Sequence, residues 1–132
     1  MLTKFLAKLL GLFAVLAALS ALANRDTTIA AMNALFADPA VVYVTGCFIL
    51  LIGLAMVIGH NRWSGGALPV IVTLYGWLAL VKGLLFLLPL PSQARFYQAL
   101  HLQQYFSGYM AFEILIGAYL IYGGFSPTAT RE

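Results

Sequence analysis

The sequence predicts an all-α polytopic membrane protein: four transmembrane helices in an antiparallel bundle, plus two short interfacial helices. Three observations predict it. Of the 132 residues, 63% are hydrophobic and only 8% are charged, where a soluble domain carries about 25% charged residues. Four apolar runs recur, each near the roughly twenty residues a helix needs to cross a hydrocarbon core. Two polar, amphipathic stretches separate the first run from the second and the third from the fourth. The length fits one transmembrane domain over residues 1–132.

The first span is expected over residues 5–23, entered by Lys4 and interrupted by Lys8. Its basic start, apolar middle and Ala21-Leu22-Ala23 also suit a cleavable signal peptide. Against that, Ala7, Gly11, Ala14, Ala18 and Ala21 alternate by four and three, the spacing of a packing face. Small residues on such a face let helix backbones approach closely in lipid, which a signal sequence does not need. A retained span is the reading adopted. Asn24 to Asp38 then carries Ile29, Met32, Leu35 and Phe36 at helical spacing, with Asp26 as the expected cap. This predicts a short amphipathic helix in the interface, ended by Asp38-Pro39 because the residue before proline avoids helix.

The second span, 39–59, contains no charge and opens on a proline, which suits a first helical turn. His60-Asn61-Arg62-Trp63 and Ser64-Gly65-Gly66 form a polar turn. There an aromatic ring and a cation are ordinary interfacial anchors, and anchoring is the expected role of His60, Asn61, Arg62 and Trp63. The third span runs over 67–90, with Trp77 expected in the core and Pro89 and Pro91 marking its end. A second amphipathic segment follows from Ser92, the expected cap, to Gln104, with Phe96, Leu100 and Tyr97 toward its buried side. The fourth span is expected over 105–125, with Tyr119, Tyr122 and Phe125 as an aromatic belt near its end.

Orientation follows from Lys and Arg near the span ends. Lys4, Lys8, Arg62 and Arg131 share one side, against Arg25 and Arg95 on the other. The four-to-two majority puts the N- and C-termini in the cytoplasm. The net charge of +3 is spread along the chain without a basic run, so nucleic acid is not an expected partner. Membrane lipids, and other membrane protein subunits or further copies of this chain, are. Cys47 is the only cysteine, which excludes an intrachain disulfide and a zinc cluster. No nucleophile elbow, phosphate-binding glycine loop or metal-ligand spacing occurs. The expectation is a non-enzymatic protein without cofactor or metal.

Lys82 and Glu113 are the ionisable residues deep in the predicted spans, where a charge usually faces a partner or a water-filled cavity. Lys82 lies eight residues before the predicted end of span three, and Glu113 eight after the predicted start of span four. At about 1.5 Å per residue, each sits roughly 12 Å from the same boundary. If consecutive spans pack as antiparallel neighbours, the two charges meet. Tyr75 and Tyr109 share the faces of Lys82 and Glu113, and Thr45 on span two reaches a similar depth. Such a polar core is either a structural clasp fixing helix register, or a relay for protons or ions or the counter-ion of a charged ligand. His60 and His101 fall on opposite sides of the membrane, so they do not jointly ligate a haem within one chain.

The stretches Asp38-Pro39-Ala40-Val41-Val42-Tyr43, Gly59-His60-Asn61-Arg62-Trp63 and Val72-Thr73-Leu74-Tyr75-Gly76-Trp77-Leu78-Ala79-Leu80-Val81-Lys82-Gly83 carry a resemblance. The sequence resembles a group of small four-helix bacterial integral membrane proteins with a His-Asn-x-Trp turn and a Gly-Trp-x-Ala-x-x-Lys-Gly helix. The resemblance covers spans two and three, with His60, Asn61, Trp63, Trp77 and Lys82 matching the pattern. Arg62 departs from it, standing where an apolar residue is expected. The resemblance implies a bacterial inner (plasma) membrane location and carries no established activity. The function expected is that of a non-enzymatic accessory or assembly subunit of a membrane protein complex. The alternative is a small transporter or channel using the Lys82-Glu113 pair.

Overall fold

The apolar runs of this chain lack the charge to end themselves, so prolines, glycines and short polar residues set the helix limits. In the structure, a computed structural model, residues 2–88, 90–101 and 103–127 are described, the side chains of 90–94 aside. Six α-helices follow in order: α1 Leu2–Ala23, α2 Arg25–Ala37, α3 Pro39–Gly59, α4 Ala67–Leu87, α5 Leu90–Ala99 and α6 Phe106–Phe125. No strand occurs among the described residues. The helices α1, α3, α4 and α6 are long and apolar enough to cross a membrane.

The breaks have local causes. Between α1 and α2 the backbone departs from helix only at Asn24 (φ −128°, ψ 51°), whose side-chain amide donates to the Ser20 carbonyl at 3.2 Å. Asp26, the expected cap, is instead in the first turn of α2 and fully exposed to solvent. The capping is done one helix later. Asp38 is extended, as a residue before proline should be, and its Oδ1 accepts from the N–H groups of Ala40 at 2.9 Å and Val41 at 3.3 Å, starting α3. Leu88, also followed by a proline, is extended with ψ 164° and stops α4 at Leu87, three residues before the expected end. Helix α5 begins two residues before Ser92 and ends at Ala99 rather than Gln104; the Ser92 side chain, the expected cap, lies outside the described residues. Gly65 and Gly66 take φ of 96° and 108° before α4, a conformation that a Cβ penalises.

Packing assembles the four long helices as two antiparallel pairs, α3 with α4 and α1 with α6, joined through α1 and α4. Each pair closes on glycines seven residues apart. In α3 and α4 these are Gly46 and Gly53 against Gly76 and Gly83. A Cβ on Gly83 would lie 2.5 Å from Leu50 N, one on Gly46 2.7 Å from Phe86 Cβ, and one on Gly53 would collide with the Leu80 backbone. In α1 and α6, Gly11 meets the Gly117 carbonyl and Gly124 meets Lys8. The pairings 46 with 86, 53 with 80, 11 with 117 and 8 with 124 fix the antiparallel sense. The buried residues of α1 are Thr3, Ala7, Gly11, Ala14 and Ala18, while Ala21 is partly exposed. Where the two pairs meet, Ala7, Met56, Leu68, Val72 and Leu120 form one buried cluster, with Ala14, Ala18, Val42, Phe86 and Phe106 buried elsewhere. At the end of the bundle where α1 stops and α3 begins, α2 and α5 lie together. The Phe36 ring joins them at 4.4 Å from Tyr97 and 5.6 Å from Phe86 on α4.

Replacing Gly83 or Gly117 with valine inserts atoms where backbone stands. Each variant is expected to lose about 1–3 kcal/mol or more, read as a lower midpoint in denaturant-monitored circular dichroism in a mild detergent. Gly108 has open space around its Cβ position. Gly108→Ala is expected to leave stability unchanged or raise it by up to about 1 kcal/mol.

Candidate functional site

Polar side chains gather at two levels of this bundle, and the lower one is built around His60. As α3 ends at Gly59 the chain turns back extended along the first turns of α4 rather than leaving for the surface. His60 is therefore 3% exposed. Its Nε2 lies 2.9 Å from the Thr3 hydroxyl of α1 and its Nδ1 3.2 Å from the Thr73 hydroxyl of α4, and both threonines are buried too. The Thr73 oxygen donates to the Arg62 carbonyl at 2.9 Å and accepts from the Arg62 N–H at 3.0 Å. Its single proton is thus used, so the neighbouring His60 Nδ1 must be the donor. In the neutral ring Nε2 then accepts from Thr3. His60 is not the headgroup anchor expected from its neighbours; it is a buried node tying α1, α4 and the turn together. Periodicity gave no signal of this, because Thr3 and Thr73 are three helices apart in sequence.

The rest of the turn is exposed. Asn61 Oδ1 accepts from the indole N–H of Trp63 at 2.8 Å and of Trp77 at 3.4 Å. Trp77 is 38% exposed rather than in the core. One amide satisfies two indoles because the extended turn runs back along α4 to the level of Trp77. Thr3, His60, Asn61 and Arg62 also line a shallow opening beside Leu2 and Gly59.

The upper level holds the ionisable pair expected in mid-membrane, and the structure separates it. Glu113 accepts a hydrogen bond from the Tyr75 hydroxyl at 3.3 Å. Lys82 is exposed, its Nζ 5.6 Å from the Phe86 ring centre. No ion pair joins Lys82 to Glu113, the ion pair among the described residues being Arg25 with Asp26. The physical reason is twofold. Helix α6 takes α1, not α4, as its main neighbour. Along α4 the residue level with Glu113 is Tyr75, seven residues and therefore about 10 Å from Lys82. Tyr109 also leaves the expected core, donating to the Leu100 carbonyl at 2.8 Å. Thr45 goes with Lys82: both line a cavity of about 190 Å³ between α2, α3, α4 and α5.

At the same end, Arg25 donates to the Gln103 carbonyl at 3.0 Å and stands 5.6 Å from the Phe106 ring. His101, exposed with φ 47°, forms an edge contact with Tyr105. At the opposite end Lys8 lies 4.5 Å from the ring of Phe125, and Tyr119, Tyr122 and Phe125 are exposed. Cys47 is exposed as well. Among the described residues no three His, Cys, Asp or Glu side chains converge.

No protein-family model matches the chain, and neither a curated protein nor a solved structure matches it. The geometry stands as the sole support for a functional reading.

Thr73→Val removes the hydroxyl that serves His60 and both backbone groups of Arg62. It is expected to cost about 1–3 kcal/mol, with Thr73→Ser close to wild type, measured by unfolding in detergent. A double-mutant cycle on Lys82→Met and Glu113→Gln is expected to be additive within about 0.5 kcal/mol. The charge exchange Lys82→Glu with Glu113→Lys is expected to rescue nothing.

Proposed function

We propose that this chain is a multi-pass protein of the bacterial inner membrane, with both termini cytoplasmic, that works as a non-enzymatic accessory or assembly subunit of a membrane protein complex. The observation carrying this reading is Glu113. A carboxyl group in the middle of a membrane helix is costly, and such groups pair with other polar groups or face water. Glu113 has one phenol, that of Tyr75, and no cation among the described residues. It is only partly buried, on a helix whose neighbouring Phe112 and Leu115 are 61% and 70% exposed. A polar group set among exposed apolar side chains suits a surface completed by a helix of another subunit, or of a second copy, that brings a donor or a cation.

The alternative, a small transporter or channel, rested on Lys82 and Glu113 acting together. Their separate surroundings leave it with less support.

The test uses the full chain at native abundance, with a photo-crosslinking amino acid at Phe112. Irradiation of membranes is expected to give one defined adduct, reduced by about tenfold or more in Glu113→Leu, the effect of losing about 1.4 kcal/mol. Monomer alone, together with an unchanged pattern in Glu113→Leu of native helicity, would remove the subunit reading.

A further inference from the structure

A second unmatched charge lies on α4, and its surroundings are those of a ligand site rather than a helix contact. Lys82 opens into the cavity of about 190 Å³ roofed by α2 and α5. Phe36, Leu35 and Phe96 supply its apolar wall, and Thr45 is the nearest polar residue on α3. Tyr97 lines the cavity as well, its hydroxyl donating to Asn33 Oδ1 at 3.4 Å. Neither a carboxylate nor another acceptor among the described residues bonds the Lys82 ammonium; its one contact is the face of Phe86. Lys82 is exposed, and its side chain borders the cavity that α2 and α5 also line.

Depth names the occupant. Lys82 is five residues from the end of α4, and Thr45 six from the start of α3. Both therefore lie about 8–9 Å inside the same helix ends at about 1.5 Å per residue. Ile49, one turn deeper on α3, lines the same space. A cation and a hydroxyl sit at one height, with apolar wall below them. This is the pattern of an anionic head above a hydrocarbon chain. The room is that of about six waters at roughly 30 Å³ each. That room takes a carboxylate and its first methylenes.

We propose that this cavity binds a long-chain fatty acid, its carboxylate paired with Lys82 and hydrogen-bonded by Thr45, and its chain descending past Ile49 into the bilayer. The site is independent of the Glu113 surface and stands or falls without it.

The probe is cis-parinaric acid, titrated into the full chain in phosphatidylcholine nanodiscs, with empty discs subtracted. Saturable fluorescence is expected, displaced by oleate and not by its uncharged methyl ester. Lys82→Met is expected to weaken binding by about tenfold or more, and Lys82→Arg to retain it, because a charge-assisted hydrogen bond is what is lost. If Lys82→Met does not fold, Leu35→Trp, which fills the cavity from α2, is expected to abolish binding with Lys82 intact. Equal displacement by oleate and methyl oleate would overturn the proposal, as would unchanged binding in Lys82→Met or in folded Leu35→Trp. Displacement by phosphatidylglycerol built into the discs, at the strength of oleate, would reject the fatty acid in favour of a phospholipid head.

Discussion

In lipid, two helices gain nothing from hiding apolar side chains, because the surroundings are as apolar as the side chains themselves. What holds them is close van der Waals approach, which requires that nothing stand between the backbones. Everything else in this molecule depends on that constraint. Gly46, Gly53, Gly76 and Gly83 let α3 and α4 touch main chain to main chain, and Gly11, Gly117 and Gly124 do the same for α1 and α6. Because the glycines recur at seven residues, each contact persists along the helix pair instead of occurring at one crossing point. Many large side chains are displaced outward, and the cluster where the two pairs meet is small: Ala7, Met56, Leu68, Val72 and Leu120.

A bundle closed on its backbones has little interior volume, so its polar groups are handled at the ends and edges. At one end His60 is buried together with Thr3 and Thr73, and the cost of burying it is offset by one hydroxyl on each side. That arrangement requires the 60–66 segment to fold back on α4, and the same path delivers Asn61 to the Trp77 indole. At the other end Arg25 ties the α1–α2 corner to the Gln103 carbonyl, and Phe36 wedges α2 against both α4 and α5. The two ends are thus stabilised differently, one by hydrogen bonds around a buried ring and the other by aromatic packing over a cavity.

Lys82 and Glu113 show where sequence reasoning stops. Their rarity in apolar runs was legible; their shared depth was not, because α4 ends three residues early and Tyr75 rather than Lys82 stands level with Glu113. Neither were their partners. The pairing expected between them assumed that spans adjacent in the chain are adjacent in the bundle. That assumption fails because the glycines of α6 match α1, and those of α4 match α3. Tyr75, expected on the face of Lys82, lies with Glu113 instead, Thr45 with Lys82, and Tyr109 with neither.

The sequence alone determined the number of long apolar helices, their limits to within about three residues, and the small-residue seam of α1. These are local quantities: apolar run length, proline and glycine punctuation, and the 3.6-residue period each act within one helix. It also placed Ile29, Met32, Leu35 and Phe36 on the inner side of α2, where they are partly buried. Only the tertiary structure decided which helices pair, that His60 lies between Thr3 and Thr73, and that Lys82 and Glu113 face different surroundings. Those depend on the rotation of each helix about its axis and on the choice of neighbour. Both are set by how surfaces fit across tens of residues of chain, which no single stretch of sequence encodes.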